Sequence, residues 1–445
     1  MSNKKLISIY LNEFNYDYIL KNSKQFKCHN ILRLFKKKKL VTKTNDKIQN
    51  KNLDPWVQNV SINTGITSKK HKIFNLGEDI FIRQKQIWDL LAINKKKVLI
   101  WGPMNAKLKS NRNLRVFFPD PWNTIQQTEP KRLKYLTYLP NYYARNYLKP
   151  KIIYLTIYSI LFFWGLLRNG YLLKLLKYLP FLFKSIFSKS LDNFLLFLLL
   201  DLISITAVRV ETNKNNPDFS LVFLNSIAHF QHNHWNDLSK KKLFFKFLDL
   251  LCLELLNLEN LYKSTLIFNG FSQKRNKDKY IIRPIDPNKF LKIIGIRFKK
   301  LNQNMTNGGI IFFKNNKEKI KNIKLLKKVK LGNFDLFEIS ILDDRTIFYR
   351  IKVISKIPLI NMNAKNLNKN LVYDKKSTPK RSNKNEIKLN FADLLHFKFI
   401  KSTGTHTSEG VLFYKNINID MKYVSNEQIF NHHIFKIIKD HFYER

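Results

Sequence analysis

The sequence predicts an α/β protein, with a doubly wound, mostly parallel sheet and an inserted helical cap. Three observations lead there. Short apolar runs recur along the chain and end in polar turns, and stretches with helical patterning alternate with them. One segment, from Lys149 to about Arg209, is far more apolar than the rest. At 445 residues, the chain has room for one large core that carries an insertion.

The first run, Leu6–Leu11, reads as a buried strand, and Asn12-Glu13-Phe14-Asn15 leaves its carboxyl end. In an open α/β sheet that end is where a ligand crevice forms. Asp17 and Tyr18 begin a helix. A second helix carries Ile87, Trp88, Leu90 and Leu91 and precedes a strand over Lys97–Trp101, which ends at Gly102-Pro103-Met104-Asn105. Leu221–Asn225 and Thr265–Phe268 repeat the plan, the latter ahead of Asn269-Gly270.

The apolar segment contains Ile152–Leu167 and Leu191–Leu200, with Lys174, Lys177, Lys184 and Lys189 between them. A membrane span needs about 20 predominantly apolar residues. The first run is shorter than that and Asp201 interrupts the second, so the expectation is a helical cap over the crevice, with Trp164 and Phe194 packed against protein. An interfacial membrane face and a partner surface are the alternatives. After Phe290 the pattern turns α+β, with runs at Ile310–Phe313 and Phe334–Ile341 and an edge or antiparallel strand at Thr346–Val353. The stretch 361–386 reads as a solvated loop. The chain thus divides into 1–148, the first part of the core, and 149–209, the cap. Residues 210–300 continue the core, and 301–445 hold its last part with a small α+β region.

Lys and Arg outnumber Asp and Glu by 80 to 32, a formal charge of +48. Compositional drift accounts for lysines scattered this evenly, and Lys36–Lys39 reads as a solvated face or loop. The alternative is attraction to an anionic partner: a small molecule, a glycan or a phosphorylated substrate. No module specific for nucleic acid is recognisable. Cys28 and Cys252 form no metal motif or disulfide framework and read as buried thiols of a reducing compartment. With no secretory signal in view, the expected location is cytoplasmic, with peripheral contact at the inner membrane face through the cap as the variant.

Three blocks can carry chemistry. His229, His232 and His234 follow the Leu221–Asn225 strand, where imidazoles can ligate zinc or manganese, bind an anion, or anchor the cap in a polar network. Thr403-Gly404-Thr405-His406 sets a histidine among small and hydroxyl-bearing residues, with Gly410 beyond it, so that backbone can approach a ligand closely. Asp54-Pro55-Trp56 through Ser61 and Thr64-Gly65 fits a helix whose N-terminus faces an anion. Ser61 or Thr64 needs an activating base or metal to become a nucleophile, and either can merely satisfy backbone groups.

The order of these blocks resembles the phosphodiesterase, nucleotide-pyrophosphatase and sulfatase branch of the alkaline-phosphatase-like superfamily. The resemblance touches residues 4–105, 215–295 and 400–415. It puts Asn12-Glu13 where the family has its first metal-binding Asp, and His232 with Trp235 where the family has a His followed by Trp. His406, between Gly404 and Gly410, stands for the family's last histidine. Departures are as informative. Alignment on Ser61 and Thr64-Gly65 places the family's nucleophile near Pro55, beside Asp54. Ala228 stands where an Asp is expected, and Asn269-Gly270-Phe271-Ser272-Gln273 replaces the Ser-Asp-His-Gly block.

What the resemblance implies is a degenerate relative whose site holds at most one divalent metal ion, zinc or manganese, on His232, His406 and Glu13. Asp54, Ser61 and Thr64 form the expected catalytic set. Asn12, Asn105, Asn225, His229, His234 and Thr405 are the expected substrate-binding residues. The expected activity is hydrolysis or transfer of a phosphoester or sulfoester. The alternative is a catalytically inactive descendant that binds an anionic glycan, lipid headgroup or protein.

Overall fold

The computed structural model describes residues 4–44, 53–147, 149–178, 193–303, 307–331, 334–352, 387–389 and 397–443, so the loop expected at 361–386 lies outside the described residues. Two compact units emerge. One comprises Met1–Pro140, Thr156–Asn276 and Thr403–Arg445; the other comprises Asn141–Leu155 and Lys277–Ser402.

The larger unit is an α/β fold with a central sheet and flanking helices. Its strands are β1 (Leu6–Leu11), β2 (Lys38–Lys43), β3 (Val98–Trp101), β4 (Leu114–Phe118), β5 (Phe219–Leu224), β6 (Ser264–Phe268), β7 (Glu409–Lys415) and β8 (Gln428–Phe430). They lie in the order β8-β2-β7-β6-β1-β5-β3-β4. From β6 to β4 every pairing is parallel, with Leu6 opposite Phe219 on one side and Ser264 on the other. β7 runs antiparallel to β6 and β2. All six residues of β1 are buried, Ser8 among them, as expected of a mostly apolar strand covered on both faces.

Ile7, Ile9 and Leu11 join a core with side chains of α1 (Tyr16–Gln25), α2 (His29–Leu34), α6 (Asn193–Asn215) and α8 (Leu238–Glu259). That core also takes in Phe162 and Leu166 of α5 (Ile152–Arg168), and Phe230 of α7 (Ser226–His234). A second group packs together: α3 (Pro55–Thr64), α4 (Ile87–Ile93) and α9 (His433–Tyr443). Phe442 of α9 meets Phe219, the partner of Leu6, edge-on at 6.3 Å.

Three expectations change here. Lys36–Lys39 is not simply a solvated run, because Lys38 and Lys39 begin β2, whose Leu40 and Thr42 point inward while the lysines stay in solvent. Thr346–Ile351 is antiparallel but not an edge: it lies between Phe337–Ile341 and Gly308–Phe312 in the four-stranded sheet of the smaller unit. The apolar segment splits in its behaviour. Phe194 is buried against Phe230 and Phe244, and α6 packs along β3 and β5 as a layer helix. Trp164 stays 51% exposed on the outer side of α5. The smaller unit has its own core, which includes Phe290, Leu291, Ile311, Leu326, Ile347 and Tyr349.

Candidate metal centre

The carboxyl ends of β6, β1 and β5 stand side by side, and the residues just beyond each of them build the site. After β1, Glu13 adopts φ 52°, a left-handed conformation uncommon for a residue with a side chain. Gln231 holds it there: its Nε2 donates to the Glu13 carbonyl at 3.1 Å and its Oε1 accepts from Asn15 N at 3.0 Å. The Asn15 side chain then caps α1 by accepting from Tyr18 N at 2.8 Å.

After β5, α7 presents His232 on its last turn. The start of α7 is fixed by Asp201 of α6, whose two carboxylate oxygens accept from Asn225 N at 3.1 Å and Ser226 N at 2.9 Å. Its end is held by Thr403, whose hydroxyl donates to the His232 carbonyl at 3.0 Å. His406 lies three residues ahead of β7, with its Nδ1 donating to the Leu53 carbonyl.

Three side chains converge. His232 Nε2 is 2.9 Å from Glu13 Oε2, and His406 Nε2 is 2.9 Å from the same oxygen. Together they form a His-His-carboxylate set whose ligand atoms all lie within 4.8 Å of one another. Gln273, shortly after β6, donates to Glu13 Oε2 at 2.5 Å, and Asn12 Nδ2 reaches Asn225 Oδ1 at 2.7 Å. Burial alone would raise the Glu13 pKa, but the adjacent His406 and His232 hold it well below the usual carboxylate range. Burial works against charge on His406, yet Glu13, with Asp54 adding to it, raises its pKa to about 9.

The residues fit a divalent cation. The His406 Nδ1 bond to a carbonyl is the arrangement that fixes the tautomer of a metal-binding imidazole and leaves Nε2 for the ion. That Nε2 is buried and makes an ionic contact without hydrogen-bond alignment. Asn12 Oδ1 and Gln273 Oε1 are likewise buried without hydrogen-bond partners. Two imidazoles and one carboxylate are a donor set that zinc accepts, with a fourth position left for another ligand.

The other expected residues are dispersed around this centre. Asn225 precedes α7 and accepts from Asn12. His229 stacks on Phe197 at 3.4 Å, and burial, helped by His232, pushes its pKa down to about 3. His234 faces the rings of Phe194 and Phe230. Thr405 is half-buried beside His406. Asp54 precedes α3, and its charge acts on His406. Asn105 is fully buried; it accepts from Gly77 N at 2.8 Å and donates to the carbonyls of Asn75 and Trp56.

The hydroxyls of α3 are engaged within the protein. Thr64 donates to the Val60 carbonyl at 2.6 Å. Ser61 Oγ is 3.0 Å from His71 Nε2, a partner that sequence reasoning did not single out. His71 Nδ1 accepts from Ile73 N at 3.0 Å, so in the neutral ring the proton sits on Nε2 and is donated to Ser61. A histidine in that tautomer does not take a proton from the serine.

Gln231, Gln273 and Asp201 were given no site role from the sequence, and Thr403 only a place in the block around His406. The one available signal was positional, since Gln273 falls in the block that lacks the expected Asp and His.

No family model matches the chain, and no curated protein does. Several solved structures resemble the chain over nearly their full length, at low identity. It is similar to phosphonoacetate hydrolase from Sinorhizobium meliloti 1021, at 9% identity over 99% of this chain and 96% of that one, with a TM-score of 0.42. Murine ectonucleotide pyrophosphatase/phosphodiesterase 5 gives 10%, 99%, 95% and 0.44 for the same four quantities. For a mutant of TAB5 alkaline phosphatase they are 11%, 99%, 98% and 0.38. Likeness at this level transfers no residue roles, so what the site can do rests on its own atoms.

Proposed function

We propose that the protein holds one divalent cation, zinc or manganese, on Glu13, His232 and His406. It uses that site to hydrolyse or transfer a phosphoester or sulfoester. The observation that carries this reading is the convergence of two imidazole nitrogens and one carboxylate at adjacent strand ends. Such an ion supplies Lewis-acid polarisation of a phosphoryl or sulfuryl oxygen and makes a water ligand more acidic. Gln273 and Asn12 orient Glu13, and the Leu53 carbonyl orients His406. With the hydroxyls of Ser61 and Thr64 engaged elsewhere, water is the nucleophile that suits this site. Asp54, which acts electrostatically on His406, is the member of the expected catalytic set best placed to handle a proton. The large surplus of Lys and Arg favours an anionic substrate.

A second reading, an inactive protein that binds an anionic glycan, lipid headgroup or protein, has its own observation. Each imidazole Nε2 lies 2.9 Å from Glu13 Oε2, so the carboxylate and the imidazoles balance one another's charge without an ion. Metal analysis of protein purified without chelator separates the two, joined to assays on an aryl phosphate, a phosphodiester and an aryl sulfate. One ion per chain and turnover of any of these, both abolished in His406→Ala, support the enzyme. Protein that takes up neither zinc nor manganese, and turns over none of them, belongs to the second reading.

A further inference from the structure

Helix α5 is apolar on both sides. Phe162, Gly165 and Leu166 are buried, and a Cβ at Gly165 would come within 2.9 Å of Leu136, so that side is packed to contact. The opposite side carries Ile157, Ile160, Phe163, Trp164 and Leu167, all between 45% and 63% exposed. Positions 157, 160, 164 and 167 have three-and-four spacing and form one stripe. The chain then bends by 93°, and Leu173 and Leu176 extend the exposed apolar surface on the next turns. Contiguous apolar surface of this kind marks an interaction site.

We propose that this face seats on an anionic lipid surface, with α5 lying in the interfacial plane. Its 17 residues reach about 25 Å, short of the roughly 30 Å hydrocarbon core, and no single described helix is long and apolar enough to cross a membrane. Together with the bent turns after it the helix has the length and composition of a span, but Phe162 and Leu166 are packed in the protein core, so in this proposal it lies on the bilayer.

Charge selects the partner. No Asp or Glu occurs between Glu129 and Asp192, whereas Lys149 and Lys151 precede α5 and Arg168 and Lys174 close its far end. Arg168 and Lys174 are exposed on the same unit as the stripe. Lys149 and Lys177 have acidic neighbours in Asp286 and Glu254, so the charge next to the stripe rests on Arg168 and Lys174, which suit anionic headgroups. Trp164 adds an indole, a ring that favours the headgroup level. The proposal is independent of the metal centre.

The test is flotation of the purified chain with vesicles of phosphatidylcholine alone and with about 30% phosphatidylglycerol. The expected result is flotation with the anionic vesicles only. Trp164→Glu, at an exposed position, should lower the bound fraction at least about tenfold without changing the circular dichroism. Lys174→Glu should weaken binding to anionic vesicles as a second, independent variant. Undiminished flotation of both variants would assign binding to the general positive charge and overturn the proposal. So would failure of the unmodified chain to float at low salt. A dimer that Trp164→Glu dissociates would reassign the face to a second copy.

Discussion

His406 Nε2 stands 2.9 Å from Glu13 Oε2, while its other ring nitrogen donates to the Leu53 carbonyl. With Nδ1 committed to a backbone acceptor, the proton between imidazole and carboxylate is the one that a cation must replace. Because His406 holds its proton up to about pH 9, zinc affinity should rise with pH throughout the neutral range and level off only near pH 9. Titration calorimetry in buffers of different ionisation enthalpy should show a proton released on binding. A pH-independent affinity would mean that the ion does not use His406.

Without metal, the same pair stabilises the fold, and the sign can be worked out for each partner. The folded pKa of His406 lies above its unfolded value, so its contribution is full below about 6.5 and is lost as pH rises through about 9. The folded pKa of Glu13 is depressed, so its contribution is full above about 4.5 and is lost as pH falls towards the folded value. Metal-free protein should lose denaturant stability between pH 6.5 and 9. Glu13→Gln should flatten that slope and cost about 3 kcal/mol, because it leaves buried imidazoles without their counter-charge. An unchanged slope in the variant would place the loss elsewhere.

Asp201 ties α6 to the start of α7, and through it to His232. Burial raises its pKa to about 6, against two backbone N–H groups that favour the ionised form. An acid whose folded pKa exceeds its unfolded value weakens the fold as pH rises from about 4 to about 6, with no further change above. Asp201→Ala should abolish that slope and leave two N–H groups unsatisfied, for a net loss of about 2 kcal/mol. Zinc affinity should fall in the same variant. Full affinity in a destabilised Asp201→Ala protein would show that α7 keeps its place without the cap.

How much of this was legible depends on which signals a side chain leaves in the sequence. β1, β3, β5 and β6 are buried on both faces and read as mostly apolar runs. Lys36–Lys39, which includes the start of β2, read as a solvated face or loop because only Leu40 and Thr42 of that strand are buried among the lysines. Glu13, His232 and His406 could be named because carboxylates and imidazoles are scarce in this chain and fell at strand ends. Gln231 and Gln273 act through amide geometry, which leaves no pattern. Glycines 404 and 410 were read as room for a ligand. The structure gives that room to protein atoms, since a Cβ at Gly410 would lie 2.6 Å from both Asn269 Oδ1 and Thr42 Oγ1.

Ser61 and His71 resemble a nucleophile and its base only by distance. His71 accepts from Ile73 N, so it donates to Ser61 and cannot activate it. Ser61→Ala should therefore change any turnover by less than about twofold while costing about 1 kcal/mol of stability, the usual worth of one buried hydrogen bond. A loss of turnover of about 100-fold, with metal content unchanged, would make Ser61 the nucleophile after all.

Gly404 lies against the amide that supports Glu13. A Cβ there would collide with Gln273 Oε1 and come within 3.0 Å of the Gln231 carbonyl. The Gln273 amide cannot retreat freely, because its Nε2 also donates to Glu13 and to the Ala228 carbonyl. Gly404→Ala should push it off the carboxylate, lowering stability by about 1–3 kcal/mol and zinc affinity by about tenfold. Gln273→Ala removes both the support and the obstacle. If the collision is the cause, the double variant should be no less stable than Gln273→Ala alone. Two costs that simply add would show that Gly404 is needed for its backbone and not for the space it leaves to Gln273.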